Sequence, residues 1–414
     1  MNALTRKSIL APLAAAFLTV GASLQARTWT STDGSKTFEA ELEAYDAESG
    51  KVTVRLLNGK SMTFLQEKLS EADITFLKEN GNKVGGAKPS SSGEIGELPD
   101  ELPDPDGEEA DMSKPVQVYI LLGQSNMLGF GKPATLKGIA AEKYPYLVDD
   151  SGEWTVRKDV RNVFVMCSGN NPAKDQQNDW MTIQRNIGPE IGIGHHVGHV
   201  TDAPVLILKS CIGNRSLGWD LLPPGTKAWE HGGKLQPGYR GTPDEPEGDT
   251  GGDMSKGWYA GCQYDGDIAA AKKVLENLDK YYPGAKEYEV AGFFWWQGDK
   301  DMRNAAHYEA YEQNLIQLIK ALRKDFDSPD AKFVSASLGQ TKEGSTRGDG
   351  VILEAMKSVA ESDDPELEGK VGFVYTHPLS KGGSSSGHYG GNPETYMNVG
   401  EAMGKAMVKL LRGE

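Results

Sequence analysis

Cysteine is scarce in this chain of 414 residues, which contains three, at positions 167, 211 and 262. Their spacing has no C-x-x-C pattern, which argues against the common zinc sites and dithiol redox centres. One disulfide with one free thiol is compatible with the sequence, which does not select the pair. A chain of this length can stabilise its core without disulfides. We therefore expect the chemistry of the protein to rest on other residues.

Positive charge is also in deficit. The sequence has 44 Lys and Arg against 59 Asp and Glu, a formal net charge of −15. This balance disfavours duplex nucleic acid or an anionic membrane surface as a partner. Nine of the acidic residues fall between residues 81 and 114, against three lysines, so the net charge says little about the surface of the remainder.

Long apolar runs are absent after residue 26, so no stable membrane span is expected there. The first 26 residues contain two basic residues, an apolar run from Ile9 to about Val20 and small residues around Ala22 and Ala26. This layout is typical of a secretory signal peptide, with cleavage after Ala22 or Ala26. A membrane anchor is the alternative, but the run is shorter than the ~20 residues that a span needs. We expect a secreted, periplasmic or cell-surface protein.

Residues 27–79 predict a small antiparallel β-domain, because short alternating strands follow one another between turn signals. The sequence of this segment resembles that of the Sla-type homology domain 1. The resemblance rests on Arg27-x-Trp29, the Gly34 turn, a central V-x-V-R-L, an N-G turn and a closing K-L-S-x-x-D-I. It implies an SH3-like β-barrel that binds short peptides, so a peptide or surface partner is one expectation. A spacer or stabilising accessory is the other.

Residues 80–114 are rich in Gly, Ser, Pro and acidic side chains. Such a composition cannot bury much apolar surface and predicts a self-repelling, flexible linker.

From residue 115 to 414, apolar strands alternate with amphipathic helices. Five strands are predicted: VQVYILL, APVLILKS, EVAGFFWW, AKFVSASLG and KVGFVYTH. Intervening helices with this pattern predict an α/β fold, namely a doubly wound, five-stranded parallel sheet of the flavodoxin-like kind. A long Gly/Pro-rich stretch at 221–261 carries several aromatic residues and predicts a binding lid.

Unusual polar residues follow four of these strands. They are GQSN, KSCIGNRSLGWD, WWQGDKD and HPLSKGGSSSGHYG. The carboxyl ends of parallel strands meet at one edge of a sheet, where ligands bind. The four segments together offer a hydroxyl nucleophile, a histidine base, carboxylates and oxyanion donors, as a serine hydrolase requires.

The same segments resemble the blocks of SGNH-type esterases, and most closely those of the sialate O-acetylesterase-like carbohydrate esterases. The family patterns are GQSNM, GPE, GGTSL, W-x-Q-G-E and a C-terminal histidine. Here they read GQSNM at 123–127, NIGPE at 186–190, GNRSL at 213–217, WWQGDKD at 295–301 and SGHYG around residue 388. The resemblance covers about 300 residues. It implies a cofactor-free, metal-free serine esterase acting on an acetylated carbohydrate.

Carried over position by position, the resemblance makes Ser125 the nucleophile and His388 the general base. It assigns the oxyanion to the backbone N–H groups of Ser125 and Gly213, to Asn214, and to the side-chain amide of Gln297. Asn214 stands where the family has glycine, and Arg215 where it has threonine. Arg215 is therefore expected to contact the substrate, together with Trp219 and Trp296.

The orienting acid departs from the family pattern. SGNH enzymes commonly place an aspartate three residues before the catalytic histidine, but that position here is Ser385. Asp299, in the place of the glutamate of W-x-Q-G-E, is expected to orient His388. Asp301 and a backbone carbonyl are the alternatives.

Two other groups of histidines offer alternatives to His388 as the functional histidine. His195 and His199 have metal-ligand spacing on a predicted helix, but the glutamate and third ligand of a zinc hydrolase are missing, so helix packing is favoured. His377 follows the last strand and is a rival for the base. At the level of function, the alternative is a catalytically degenerate carbohydrate-binding or surface interaction protein on the same fold.

Overall fold

The computed structural model divides the chain into two compact units, Met1–Ser91 and Ser92–Glu414. The predicted signal peptide at 1–26 lies outside the described residues. The structure describes residues 27–32, 34–46, 50–56, 61–84, 95–105, 107–241 and 257–414. Within these ranges, no helix has both the length and the apolarity needed to cross a membrane.

The small unit is an antiparallel sheet packed against a helix. Its strands are β1 (Arg27–Thr30), β2 (Thr37–Asp46), β3 (Lys51–Leu56) and β4 (Ser61–Leu65), in the order β1-β2-β3-β4, and helix α1 (Glu71–Val84) follows. Buried Trp29 lies at the centre of the core. Asp73 on α1 accepts hydrogen bonds from the Arg27 side chain at 2.6 Å and from the Thr30 N–H at 2.8 Å. The antiparallel strands agree with the predicted β-domain, whereas its closure into a barrel stays a prediction.

The flexible linker predicted at 80–114 needs correction at both ends. Helix α1 continues through Val84, past the predicted boundary at residue 79. On the other side, the Gly96 N–H donates to the Val200 carbonyl at 2.8 Å, and Leu102 is buried in the larger unit. Backbone hydrogen bonds and one apolar anchor therefore hold this acidic segment on the larger unit.

The larger unit contains a seven-stranded sheet. Its strands are β5 (Val116–Gly123), β6 (Arg157–Met166), β7 (Lys174–Met181), β8 (Val205–Ser210), β11 (Tyr288–Trp296), β12 (Lys332–Ala336) and β13 (Val371–Val374). They lie in the order β13-β12-β11-β5-β8-β6-β7, and all neighbours are parallel except β6 and β7. A separate hairpin is formed by β9 (Trp229–His231) and β10 (Lys234–Gln236).

The prediction of an α/β fold with a mostly parallel sheet is confirmed. The five predicted strands take the order 2-1-3-4-5 expected of a flavodoxin-like sheet. The strand number was wrong, because β6 and β7 extend the sheet beyond β8. The sequence of β6 begins RKDVRN and has only the short apolar run VFVM at its end, and that of β7 is KDQQNDWM, so both strands are more polar than the five that were predicted.

Helices cover both faces of this sheet. Alternate residues of β5 enter two different cores, with Val118 and Ile120 on one side and Tyr119 and Leu121 on the other. The first core includes residues of α6 (Cys262–Leu275), α7 (Leu278–Tyr281), α9 (Tyr311–Asp325) and α10 (Gly348–Ala360). The second includes residues of α3 (Pro133–Lys137), α4 (Ala140–Lys143), α5 (Glu190–His199) and α11 (Pro393–Arg412). Two short helices, α2 (Ser125–Leu128) and α8 (Ala305–Glu309), follow β5 and β11.

The cysteines and the paired histidines of α5 lie inside the larger unit. All three cysteines are buried and free, so no disulfide links any two of them. His195 is buried against the ring of Tyr146, with centroids 4.8 Å apart. Burial lowers the pKa of His195 well below its usual value. The described ranges contain no group of three or more His, Cys, Asp or Glu arranged to hold a metal ion.

Candidate active site

Ser125 lies immediately beyond the carboxyl end of β5, as the first residue of α2. The chain reaches it through Gly123, which has a φ of +145°, and a Cβ there would lie 2.5 Å from the carbonyl oxygen of Trp296 on β11. Only glycine permits such a close approach of two strand ends. Ser125 is partly exposed, whereas Gln124 and Asn126 on either side of it are buried. The strand therefore presents one hydroxyl at the point where the strand order of the sheet reverses.

The loop after β8 faces this serine. A Cβ placed on Gly213 would lie 3.5 Å from the Cβ of Ser125. Asn214 is exposed and has a φ of +55°, a left-handed conformation that asparagine tolerates better than most residues. Within the described part of the chain, the N–H groups of Ser125, Gly213 and Asn214 donate to no protein acceptor. These free donors adjoin the hydroxyl of Ser125, which is the arrangement that an oxyanion hole beside a nucleophile requires.

The segment after β11 holds that loop in place. Gln297 is fully buried, and its Nε2 donates to the Arg215 carbonyl at 2.8 Å and to the Asp301 carboxylate. Both amide hydrogens are thus used within the protein, and Tyr311 donates to Oε1 at 2.8 Å. The predicted oxyanion role of Gln297 is therefore corrected to a support for the loop. Asp301 is likewise buried, and it accepts from the N–H groups of Leu217 and Gly218 at 3.0 and 2.8 Å.

Arg215 points into the protein and not toward a substrate. It is 5% exposed, and its Nε donates to Oε1 of Gln263 at 3.0 Å. Its Nη1 donates to the carbonyls of Gly213 and Asn214 at 3.2 and 3.0 Å, and its Nη2 to Oγ of Ser168 at 3.2 Å. The predicted substrate contact is therefore wrong for this side chain, because four of its five donors are already engaged.

The two tryptophans predicted to contact substrate are also buried. Trp219 is 1% exposed and packs with Leu222, Ala260 and Trp258. Trp296 is fully buried, donates from Nε1 to the Ser337 carbonyl at 3.0 Å, and stacks on Tyr389. Both prefer interior positions because each has a large apolar surface. Trp296 acts at the site indirectly, through Tyr389, which follows His388 in the chain.

His388 lies in the loop that precedes α11. Its backbone is left-handed, with a φ of +50°, and Tyr389 and Gly390 continue this conformation at +53° and +63°. The imidazole stacks face to face on the ring of Phe130, with centroids 3.9 Å apart. Among the described residues, no hydrogen bond joins His388 to Ser125. The rival His377 donates from Nδ1 to the Gly339 carbonyl, 2.8 Å away.

Asp299 contacts the His388 loop at a different residue from the one predicted. Its Oδ1 accepts a hydrogen bond from Oγ of Ser385 at 3.0 Å. Ser385 is fully buried and stands three residues before His388, where SGNH enzymes commonly place their aspartate. Asp299 also pairs with the more exposed Arg303 at 3.0 Å. The structure therefore connects this position to a carboxylate from the segment after β11, through the hydroxyl of Ser385.

A buried ion pair supports the far end of α2, and the sequence analysis did not identify it. Lys209 on β8 donates to the Glu190 carboxylate at 2.7 Å and to the Leu128 carbonyl at 2.9 Å. The side chains are each 4% exposed. Glu190 belongs to the NIGPE block, and this motif could have marked it as a candidate residue. No sequence pattern indicates that its partner is Lys209, which lies inside the apolar strand β8.

Replacing Lys209 by methionine is expected to lower the free energy of unfolding of the larger unit by about 3–5 kcal/mol, because it leaves the Glu190 carboxylate buried and unpaired. Urea unfolding followed by tryptophan fluorescence measures this change, since every tryptophan except Trp29 lies in the larger unit. The matched control is Lys114→Met, which removes an exposed pair with Asp202 and should change stability little. Equal effects of the two substitutions would contradict the prediction.

A cavity of about 470 Å³ opens beside α2. Phe130, whose ring stacks on His388, forms one wall. Twelve residues line the cavity: Leu128, Gly129, Phe130, Pro133, Phe164, Met166, Gln176, Gln177, Arg185, Asn186, Glu190 and Lys209. The cavity therefore combines apolar walls with amide and guanidinium groups, and Phe130 is its link to His388.

The predicted lid over 221–261 is described in part, because residues 242–256 lie outside the described ranges. Trp258 packs on Gly169, and the Arg215 guanidinium lies 5.2 Å from the centre of its ring. Asp265 on α6 accepts hydrogen bonds from the hydroxyls of Tyr239 and Tyr259. The described part of the segment is thus anchored beside the loop that contains Arg215.

Comparison with known proteins gives the class of the larger unit. Residues 248–409 match the family model described as "Carbohydrate esterase, sialic acid-specific acetylesterase". This stretch of the larger unit therefore has the sequence features of a carbohydrate esterase. The predicted resemblance to the sialate O-acetylesterase-like enzymes is confirmed, and the activity of the class is that of a carbohydrate O-acetylesterase. The matched range contains His388 and Asp299 and begins after Ser125.

The solved structures that match this chain are distant from it in sequence and in superposition. A protein from Arabidopsis thaliana is 17% identical, with 71% of this chain and 98% of that chain covered and a TM-score of 0.40. A carbohydrate acetylesterase from Xanthomonas citri is 14% identical, with 72% and 57% covered and a TM-score of 0.42. A carbohydrate esterase family 2 enzyme with a carbohydrate-binding domain, from Corynascus thermopiles (Myceliophthora fergusii), is 12% identical, with 76% and 69% covered and a TM-score of 0.34. A search of curated protein sequences gives no match.

Proposed function

We propose that the protein is an exported serine esterase that removes O-acetyl groups from a carbohydrate through an acyl-enzyme. The observation that carries this proposal is the approach of Gly213 to Ser125, with free backbone N–H groups on both residues and on Asn214. A hydroxyl beside donors that have no other partner is arranged for attack on a carbonyl whose oxygen becomes an anion. The family match supplies the carbohydrate ester as substrate.

In the proposed reaction, Oγ of Ser125 attacks the acetyl carbonyl while His388 accepts the hydroxyl proton. The N–H groups of Ser125, Gly213 and Asn214 bind the oxyanion. His388 then returns the proton to the sugar oxygen, which leaves as a hydroxyl. Water attacks the acetyl-Ser125 ester with His388 again as base, and acetate is released.

His388 must approach Ser125 for this reaction. Its ring now rests on Phe130, and hydrogen bonds between catalytic groups are often long or absent before substrate binds. The loop is otherwise firmly held: Tyr389 is fully buried, and its hydroxyl accepts from the Gly339 N–H at 3.1 Å. A run of left-handed residues costs backbone energy and persists where the surroundings impose it. These anchors hold the backbone of the loop, so we propose that His388 approaches Ser125 by rotation of its imidazole.

Asp299, in the segment after β11, supports the proposed base His388. The Ser385 hydroxyl donates a hydrogen bond to the Asp299 carboxylate. We propose that this contact holds the negative charge of Asp299 next to the loop that contains His388. A carboxylate in this position favours the imidazolium that forms during the reaction.

The cavity next to α2 is the proposed site of the sugar. Sugars present both apolar faces and hydroxyl groups, and binding sites for such ligands combine aromatic walls with a few polar groups. Phe164 and Met166 supply the apolar walls, and Gln177, Arg185 and Asn186 supply polar groups. Phe130 lines the cavity and stacks on His388, so one side chain connects the proposed sugar site to the proposed base.

The test is acetate release by the full chain from a panel of O-acetylated sialic acids and O-acetylated polysaccharides, with 4-nitrophenyl acetate as a small ester. We expect hydrolysis of the small ester and a higher kcat/KM for at least one acetylated glycan, since only a glycan fills the cavity. The Ser125→Ala variant is the control for acetate released without the nucleophile. Absence of turnover on every substrate would overturn the proposal and favour a carbohydrate-binding protein on the same fold.

A further inference from the structure

Asp267 is a buried carboxylic acid on α6 that the proposed reaction does not use. It is 1% exposed. Its Oδ1 accepts a hydrogen bond from Nε2 of Gln263 at 2.8 Å and lies 3.7 Å from Sγ of Cys167. Its Oδ2 has no hydrogen-bond partner in the described ranges. Buried polar atoms without a partner are rare and costly, so a residue of this kind calls for a physical explanation.

Gln263 connects Asp267 to the site. Its Oε1 accepts from Nε of Arg215 at 3.0 Å and from the Gly169 N–H at 2.9 Å. A carboxamide has an acceptor at one end and donors at the other, so its partner on one side decides which end faces the opposite side. Nε2 donates to Asp267 at 2.8 Å and, over a longer distance, to the Cys167 carbonyl at 3.3 Å. These acceptors, of which Asp267 is the nearer, hold Nε2 away from Arg215 and thereby turn Oε1 toward its guanidinium.

Arg215 passes this constraint on to the oxyanion loop. Its Nη1 binds the carbonyls of Gly213 and Asn214. A peptide unit is planar, so a fixed Gly213 carbonyl also fixes the direction of the Asn214 N–H in the same unit. A continuous set of hydrogen bonds therefore runs from Asp267, inside α6, to a donor next to Ser125.

We propose that Asp267 is a positioning residue for the esterase reaction, which sets the orientation of Gln263 and, through Arg215, of the backbone donors at Gly213 and Asn214. The proposal rests on the proposed function for its kinetic consequence. Asp267 touches neither substrate nor reacting atoms. Its contribution is to reduce the motion of donors that must be in place before negative charge develops on the oxyanion.

The protonation state of Asp267 fits this task. Burial raises the pKa of Asp267 to about 8, while Gln263, Cys167 and Arg215 oppose the shift. The titratable groups that face it are the thiols of Cys167 and Cys211 and the guanidinium of Arg215. Burial raises the pKa of both thiols, so they stay neutral. Below about pH 8, Asp267 is a neutral carboxylic acid, whose carbonyl oxygen still accepts from Gln263, and it adds no buried charge.

The test compares Asp267→Leu, which removes the acceptor, with Asp267→Asn, which keeps an acceptor oxygen for Gln263. Acetate release from 4-nitrophenyl acetate is expected to fall about 10- to 100-fold in kcat for Asp267→Leu with KM little changed, because misaligned donors act mainly in the transition state. Asp267→Asn should stay within a few-fold of the wild type. Val274→Ala is the matched control, because it weakens the core side of α6 without touching the hydrogen bonds. Equal kcat values for the leucine variant and this control would overturn the proposal.

Two further readouts separate this proposal from the proposed function. Hydrogen exchange in the peptide spanning 211–220 should be faster in Asp267→Leu and unchanged in Asp267→Asn.

The second readout is the pH dependence of stability. The contribution of neutral Asp267 to the free energy of unfolding is complete below about pH 4 and is lost as pH rises through about 8. The melting temperature of the wild type should therefore fall relative to Asp267→Asn over that range. If the wild type has no esterase activity but these effects appear, the proposed function fails and the positioning stands. If the wild type is active and neither kcat nor exchange responds, the positioning proposal fails alone.

Discussion

Replacing Ser125 by alanine is expected to reduce acetate release by about 10⁴-fold or more, because the acyl-enzyme cannot form without the hydroxyl. The fold should persist, since the side chain is partly exposed and makes no hydrogen bond that supports its surroundings. The measurement is kcat/KM on 4-nitrophenyl acetate and on the best acetylated glycan, together with the melting temperature. The matched control is Ser386→Ala, an exposed serine two residues before His388, which should leave kcat/KM within a few-fold of the wild type.

The same assay decides between the two candidate histidines. His388→Ala should lose activity on the scale of Ser125→Ala, and the double variant should be no worse than either single variant, because the two residues act as one unit. His377→Ala should have a small effect, since its Nδ1 is engaged with the Gly339 carbonyl. A large loss in His377→Ala with an active His388→Ala would reverse the assignment.

Replacing Asp299 by asparagine is expected to lower kcat by about 10²- to 10⁴-fold, the upper figure being the loss when a carboxylate bonded directly to the catalytic histidine is removed. Here a hydroxyl stands between the two, which favours the lower part of that range. The asparagine can still accept from Ser385, so the change removes the charge and largely keeps the hydrogen bond. Arg303→Met is the control: it removes the exposed partner of Asp299 and leaves the contact with Ser385. Unchanged activity in Asp299→Asn would contradict this role and would favour a Ser-His pair in which a backbone carbonyl orients His388.

Moving the carboxylate from residue 299 to residue 385 gives a more specific test. Combining Asp299→Asn with Ser385→Asp restores one carboxylate, now at the family position three residues before His388. We expect the double variant to regain at least about tenfold of the activity lost in Asp299→Asn, because the new charge lies closer to the imidazole. Ser385→Asp alone should be poorly active or unstable, since two carboxylates would meet at a buried position where like charges disfavour ionisation. A double variant no better than Asp299→Asn would show that the location of the charge is not what limits the base.

The sequence predicted the sheet well where strands are apolar on both faces and poorly where they are not. VQVYILL and EVAGFFWW are buried at almost every position, and their continuous apolar character identifies them. Strands β6 and β7 were missed because their pairing depends on the existing edge at β8. That edge is a tertiary feature that local patterns do not contain. The linker was misassigned for a similar reason: one buried leucine and a few backbone hydrogen bonds attach it to the larger unit.

The site was predicted at the level of segments and not of side-chain direction. Four strand ends were expected to meet, and the loops after β5, β8 and β11 do lie together. Spacing alone could not tell that Arg215, Trp219, Trp296 and Gln297 turn inward. Polar residues at a strand end serve the loop as often as the ligand, because buried backbone groups also need partners. The contact of Asp299 with Ser385 was equally out of reach, since it joins residues 86 positions apart.

The polar strand β7 has a further consequence for the protein in solution. As the last strand on its side of the sheet, it presents backbone groups that could pair with another chain. Its sequence places Lys174, Asp175 and Asp179 along eight residues, and charged side chains oppose the approach of a second strand. At the opposite edge, β13 has only four residues, too few for extended pairing. Both borders of the sheet are therefore poor templates for edge-to-edge aggregation.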